Sequence, residues 1–127
     1  MRLFLSVVIV HFIEHLAQMF ELYILHLTRA ESLGLIGLAF PHLVRSEWLH
    51  YAFAWYTLYG LIKFKFSPTA IYLQTFHFIE HVVLLSQYLL AFTPTGIGGI
   101  WFTRIELHFA YNLIVLIAMC RSRGVFI

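Results

Sequence analysis

A five-residue segment that combines histidine with glutamate occurs twice in this chain. The sequence His-Phe-Ile-Glu-His stands at residues 11–15 and again, letter for letter, at residues 77–81. Imidazole suits zinc, copper, iron and nickel, and carboxylate shifts the preference towards iron or manganese. The chain has eight histidines but one cysteine, Cys120. A histidine-based site is therefore favoured, while an internal disulfide framework and a thiolate-held zinc or iron–sulfur cluster are excluded.

Histidines from four apolar segments are the candidate ligands. The four that we expect to bind a metal are His15, His50, His81 and His108, and the two that complete the set are His11 and His77. Glu14 and Glu80 are expected to be further ligands or to accept the hydrogen bonds that fix the imidazole tautomers. Four more polar residues are candidates for hydrogen bonds around the ligands: Glu47, Gln18, Glu21 and Gln87. His26 and His42 are expected at the membrane interface.

The polar residues of each repeated segment fall on one helical face. At 100° per residue, those from His11 to His26 occupy an arc of about 140°, and the residues around His77 and His81 repeat this arrangement. A charged side chain at mid-bilayer costs about 2.5–3.5 kcal/mol. We therefore expect both faces to point towards the interior of the protein, where the polar groups can meet.

Composition indicates the class of protein that must position these residues. The chain is 61% hydrophobic and 11% charged, with a formal net charge of +2, whereas a soluble domain carries roughly 25% charged residues. A soluble monomer is close to excluded, and disorder and nucleic-acid binding are excluded because both need charge. The class of protein that the composition favours is therefore an integral membrane protein with one domain, residues 1–127.

Four apolar segments predict an all-α bundle of four transmembrane helices. Their approximate bounds are 3–27, 48–66, 67–92 and 104–120. Ser67-Pro68 is typical of an N-cap followed by proline at the first helical position. The end with both termini carries Arg2, Lys63, Lys65, Arg121 and Arg123, and the other end carries Arg29, Arg45 and Arg104. The excess of cations at the end with both termini, five against three, predicts that both termini are cytoplasmic.

Two further matches in the same order predict an internal duplication. Residues 34–40 parallel 96–102, and residues 49–53 parallel 107–111. The chain is then two tandem helix–loop–helix units, 1–66 and 67–127. Because each unit crosses the membrane twice, a pseudo-two-fold axis along the membrane normal is expected.

These features favour a membrane metalloprotein with one or two transition metals, iron or copper before zinc, for redox or oxygen chemistry or electron transfer. Whether it is an enzyme stays open. The first alternative is a b-type haem protein. The second is a small accessory subunit that binds a pigment or a quinone, within a larger complex or a homo-oligomer in the lipid bilayer. A proton path through the Glu/His stripe is a further use.

The segment His-x-x-Glu-His also resembles the zinc motif of inverted-zincin peptidases, at His77, Glu80 and His81 and at the equivalent residues of the first copy. In that family the two histidines hold zinc and the glutamate is the base. The resemblance covers five residues per copy and implies a minor alternative, an intramembrane zinc hydrolase.

Overall fold

The computed structural model describes residues 1–122, which are all-helical, without strands. The four long helices are α1 (Arg2–Tyr23), α4 (Glu47–Lys63), α5 (Pro68–Leu89) and α6 (Arg104–Ser122). The first connection contains the short helices α2 (Gly34–Ala39) and α3 (Pro41–Val44), and the last contains a 3₁₀ turn, Gly98–Ile100. Arg123, one of the predicted cytoplasmic cations, lies outside the described residues.

Two helices, α1 and α6, are long and apolar enough to span a membrane. Helix α1 ends at Tyr23 rather than near Leu27, because His26 takes a left-handed φ of 55°. Helix α5 begins as predicted: Pro68 is its first residue, and the Ser67 hydroxyl accepts a hydrogen bond from the Ala70 N–H at 3.3 Å. This bond satisfies one of the free N–H groups of the first turn.

The long helices pack so that the two repeated segments lie across the interior from each other. Helices α4 and α6 each contact both α1 and α5. Helices α1 and α5, which carry residues 11–15 and 77–81, therefore occupy diagonal positions. The remaining diagonal, α4 and α6, carries His50 and His108.

The interior changes from apolar to polar along the helix axes. The apolar cluster lies at the end that holds the N-terminus and the connection between α4 and α5, and it includes Phe4, Leu61, Phe66 and Met119. Towards the other end the buried side chains are mostly polar: Glu14, His15, Gln18, Gln74, His77, Glu80, His81 and His108. The buried polar groups are thus concentrated in one layer of the protein.

The two glycine-rich connections fold back onto buried carboxylates. Glu14 accepts hydrogen bonds from the N–H groups of Ile36 (2.9 Å) and Gly37 (3.2 Å). Glu80 accepts from Ile97 (3.0 Å) and Gly98 (3.1 Å) in the same manner. Each connection is therefore held against its long helix by a carboxylate that binds loop amides.

Gly96 is required at its position for two reasons, and Gly96→Ala is expected to destabilise the protein by about 2 kcal/mol. Its φ is +69°, and an added Cβ would overlap the Glu80 carboxylate. Gly99→Ala is the matched control, because a Cβ there meets Thr95 at an ordinary 3.6 Å. Thermal unfolding in detergent compares the two variants. Equal unfolding midpoints would show that the tight approach at Gly96 does not matter.

Candidate metal centre

Six histidine rings from the four long helices meet in the polar layer. They are His11 and His15 on α1, His50 on α4, His77 and His81 on α5, and His108 on α6. The centroids of neighbouring rings lie between 4.5 and 5.8 Å apart. This is the set of candidate ligands that the sequence predicts, and we call it the histidine cluster.

The four-residue spacing within each repeated segment places two imidazoles one above the other on a helix face. The Nε2 atoms of His11 and His15 lie 3.0 Å apart, and so do those of His77 and His81. Two imidazoles with metal–nitrogen bonds of 2.0–2.1 Å to one ion have nitrogens separated by about 2.9–3.4 Å. Each pair therefore forms an N–H···N hydrogen bond, at a separation that also suits two ligands on a shared ion.

His50 and His108 are oriented by backbone carbonyls of their own helices. The Nδ1–H of His50 donates to the Ser46 carbonyl at 2.8 Å, and that of His108 donates to the Arg104 carbonyl at 2.7 Å. In this tautomer Nε2 carries the lone pair. Metal-binding histidines generally use one ring nitrogen for such a hydrogen bond and the other for the ion.

Three members of the cluster can together hold a metal ion. One nitrogen from each of His77, His81 and His108 lies within 4.8 Å of the other two, and all three residues are buried. Within residues 1–122, Nδ1 of His81 and Nε2 of His108 are buried and have no hydrogen-bond partner. A buried polar atom without a partner is costly, and a cation bound to Nε2 of His108 would satisfy that nitrogen. His81 can give the same ion one of its two ring nitrogens, either Nδ1 or the Nε2 that lies beside His77.

Amide and aromatic side chains fix the remaining rings. Gln18 accepts from Nδ1 of His15 at 2.9 Å. His11 stacks on Phe53 with centroids 3.6 Å apart, and His77 stacks on Tyr111 at 4.9 Å. These contacts hold the imidazole planes in place while their nitrogens face the cluster.

Gln74 contributes to the cluster although it was not among the predicted site residues. Its side-chain oxygen lies 3.4 Å from Nδ1 of His77, and its amide nitrogen donates to the Ala54 carbonyl at 3.0 Å. The sequence indicates this contact, because Gln74 lies three residues before His77 on the same helical face.

The predicted carboxylates lie elsewhere than the imidazoles. Both oxygens of Glu14 and of Glu80 accept hydrogen bonds from the loop amides. Glu47 is buried and pairs with Arg104 at 2.5 Å. In the described part of the chain, none of these three carboxylates forms a hydrogen bond with a histidine of the cluster.

The other predicted polar residues divide between the cluster and the loops. Glu21 accepts from the Gly34 N–H at 2.8 Å, and Gln87 accepts from the Gly96 N–H at 2.8 Å. His26 and His42 are exposed and lie outside the cluster. Of the predicted supporting residues, Gln18 is the one that contacts a histidine of the cluster directly.

Comparisons with protein family models, with curated proteins and with solved structures find no match to this chain.

Proposed function

We propose that the chain is a multi-pass membrane metalloprotein that holds one or two transition-metal ions and uses them in redox or oxygen chemistry or in electron transfer. The observation that carries the proposal is the buried triad His77, His81 and His108, whose nitrogens lie within 4.8 Å of one another. Two ring nitrogens of the triad, Nδ1 of His81 and Nε2 of His108, are buried without a hydrogen-bond partner among residues 1–122. A transition metal bound to Nε2 of His108 would accept the lone pair that has no partner there.

All four long helices are proposed to cross the membrane. The argument is the inverted distribution of side chains: Leu3 is 76% exposed and Phe76 is 64% exposed, while His81 and Glu80 are each 2% exposed. An apolar exterior around a polar interior suits lipid and would aggregate in water. Helix α4 has 17 residues, the lower end of the length that spans a bilayer. The cationic end with both termini is proposed to face the cytoplasm.

Equivalent contacts in the two halves support the proposed duplication. Phe12 packs on Phe109 at 5.7 Å, and Phe78 packs on Tyr51 at 5.5 Å. The sequence matches make Phe12 equivalent to Phe78 and Phe109 equivalent to Tyr51, so each pair corresponds to the other. The Nε2 pairs and the carbonyl bonds of His50 and His108 correspond in the same manner. The loop amides bound by Glu14 and Glu80 correspond with an offset of one residue.

The same mapping suggests where a second ion would bind. The triad His77, His81 and His108 corresponds to His11, His15 and His50 in the sequence matches. We propose the first triad as the primary site, because among the described residues it is the group whose nitrogens lie within 4.8 Å of one another. The second triad is proposed as the position of a second ion on the sequence matches alone. Donors that are all imidazole favour copper, iron or zinc over magnesium, calcium or manganese.

The geometry favours a non-haem site over haem. Imidazole rings with centroids 4.7–5.8 Å apart already fill the space between His81, His108 and their neighbours on facing helices. A porphyrin would have to be inserted between these rings. The hydrolytic alternative loses its base, because the Glu80 carboxylate is hydrogen-bonded to loop amides.

Elemental analysis and optical spectroscopy of the full chain, purified from membranes in detergent, test the proposal. We expect about one to two ions of copper, iron or zinc per chain, given the number and type of ligands. A Soret band in the absorption spectrum would show that the site holds haem and not a non-haem metal. Substoichiometric amounts of every transition metal, without haem, would reject the metalloprotein proposal.

A further inference from the structure

A cavity of about 330 Å³ connects exposed arginines with the histidine cluster. Its lining includes Arg29, Arg45 and Arg104, which are exposed, and His15, His50 and His108, which are less exposed. The differences in exposure place the arginines at the mouth and the imidazoles at the floor. His108 is 4% exposed, and its Nε2 has no partner among residues 1–122.

The charge of the cavity lining is positive. The three arginines line it, and none of its described lining residues is a carboxylate. Arg104 is neutralised by Glu47 at 2.5 Å, and Arg29 contacts Glu106 at 3.5 Å. Arg45 instead donates to the Ala30 carbonyl at 2.8 Å and forms no ion pair within the described chain. Its guanidinium therefore keeps an uncompensated charge at the mouth.

A cleft lined with charges of one sign concentrates counter-ions of the opposite sign. Guanidinium groups bind carboxylates and oxyanions through paired N–H donors. A volume of about 330 Å³ has room for roughly ten water molecules at ~30 Å³ each. The ligand that fits is therefore an anion of up to roughly ten non-hydrogen atoms.

The two halves differ in one side chain beside the cavity, which is lined mostly by the first half. Gln18 lines it, and its amide donates to the Leu33 carbonyl at 3.3 Å. The sequence matches place Leu84 at the equivalent position, and that side chain is 1% exposed. A polar side chain therefore borders the cavity in the first half, where a packed apolar one stands in the second.

We propose that this cavity is a binding site for a small carboxylate or oxyanion, which approaches past Arg45 and reaches the face of the histidine cluster formed by His15, His50 and His108. A metal held by the primary triad would border this floor through His108, and that part rests on the function proposed above. The recognition of the anion by the arginines does not, because the guanidinium groups belong to the protein itself.

Titration calorimetry with the detergent-purified full chain tests the site, with benzoate and inorganic phosphate as the two anionic probes. Benzamide, which has nearly the same shape as benzoate without its charge, is the control ligand. We expect saturable binding of at least one anion and none of benzamide. Tighter binding of benzoate identifies an organic carboxylate as the preferred class, and tighter binding of phosphate identifies an inorganic oxyanion.

Arg45→Gln is expected to weaken anion binding about tenfold, because a charged hydrogen bond is lost. Arg2→Gln, at the opposite end of α1, removes the same charge and is expected to leave the affinity unchanged. Ala30→Trp fills the mouth without changing the charge and should also reduce binding. Absence of anion binding, equal binding of benzamide, or equal effects of Arg45→Gln and Arg2→Gln would overturn the proposal.

Metal analysis of the same samples separates this proposal from the previous one. Bound metal without anion binding would leave the metalloprotein proposal standing and reject the anion site. Anion binding that is sensitive to Arg45→Gln in protein without metal would support the anion site and reject the metal centre.

Discussion

Replacing His81 by alanine is expected to remove one metal ion per chain from the purified protein. In the primary triad, Nε2 of His81 lies 3.0 Å from Nε2 of His77, and its ring centroid lies 4.7 Å from that of His108. Even residues that only orient a ligand alter metal affinity by roughly 10–100-fold, so loss of one of three ligands is expected to exceed that range. Elemental analysis of the folded, monodisperse variant measures the loss.

His42→Ala is the matched control for this change. His42 lies in the short helix α3, is exposed, and has no part in the histidine cluster. The control variant should retain the metal content of the unmodified chain, and His15→Ala should affect the second ion. If His81→Ala retains all its metal, or if His42→Ala loses as much as His81→Ala, the proposed ligand assignment is incorrect.

The convergence of the histidines could be predicted because it depends on local periodicity and on the cost of burial. Polar residues at a helical repeat occupy one face, and in a largely apolar chain that face turns inward, where the polar groups can pair with one another. His15 and His81 are each buried, at 3% and 2% exposure. The start of α5 was predictable for a similar reason, since the Ser67 side chain and the Pro68 ring act on neighbouring backbone groups.

The partners of Glu14 and Glu80 could not be predicted from the same pattern. A helical wheel gives the direction of a side chain but not the path of a distant connection. Glu14 binds amides 22 and 23 residues later in the chain, and Glu80 binds amides 17 and 18 residues later. The glycines at the turns, Gly34 and Gly96, have positive φ values of 75° and 69°. The repeated glycines indicated a shared turn, but not that a carboxylate would lie beneath it.

Glu80→Gln is expected to lower the free energy of unfolding by about 2 kcal/mol while the metal content stays unchanged. Both carboxylate oxygens of Glu80 accept from backbone N–H groups, those of Ile97 and Gly98. A glutamine can keep one oxygen at the position of Oε2, which accepts from both amides, but it loses the negative charge and places an NH₂ donor beside the Gly98 N–H. Glu14→Gln should behave alike, because Glu14 binds two amides in the same way.

Glu21→Gln is the matched control, because the second half of the chain has a glutamine at the equivalent position. Glu21 uses one oxygen to accept from Gly34, and at the equivalent place in the second half Gln87 accepts from Thr95 and Gly96 through its single oxygen. An amide is therefore sufficient there, and we expect less than about 1 kcal/mol of destabilisation. Thermal unfolding in detergent and metal analysis of the three variants distinguish the two roles. Loss of metal from Glu80→Gln at unchanged stability would mean that the carboxylate is a metal ligand, whereas loss of stability with metal retained would mean that it anchors the loop.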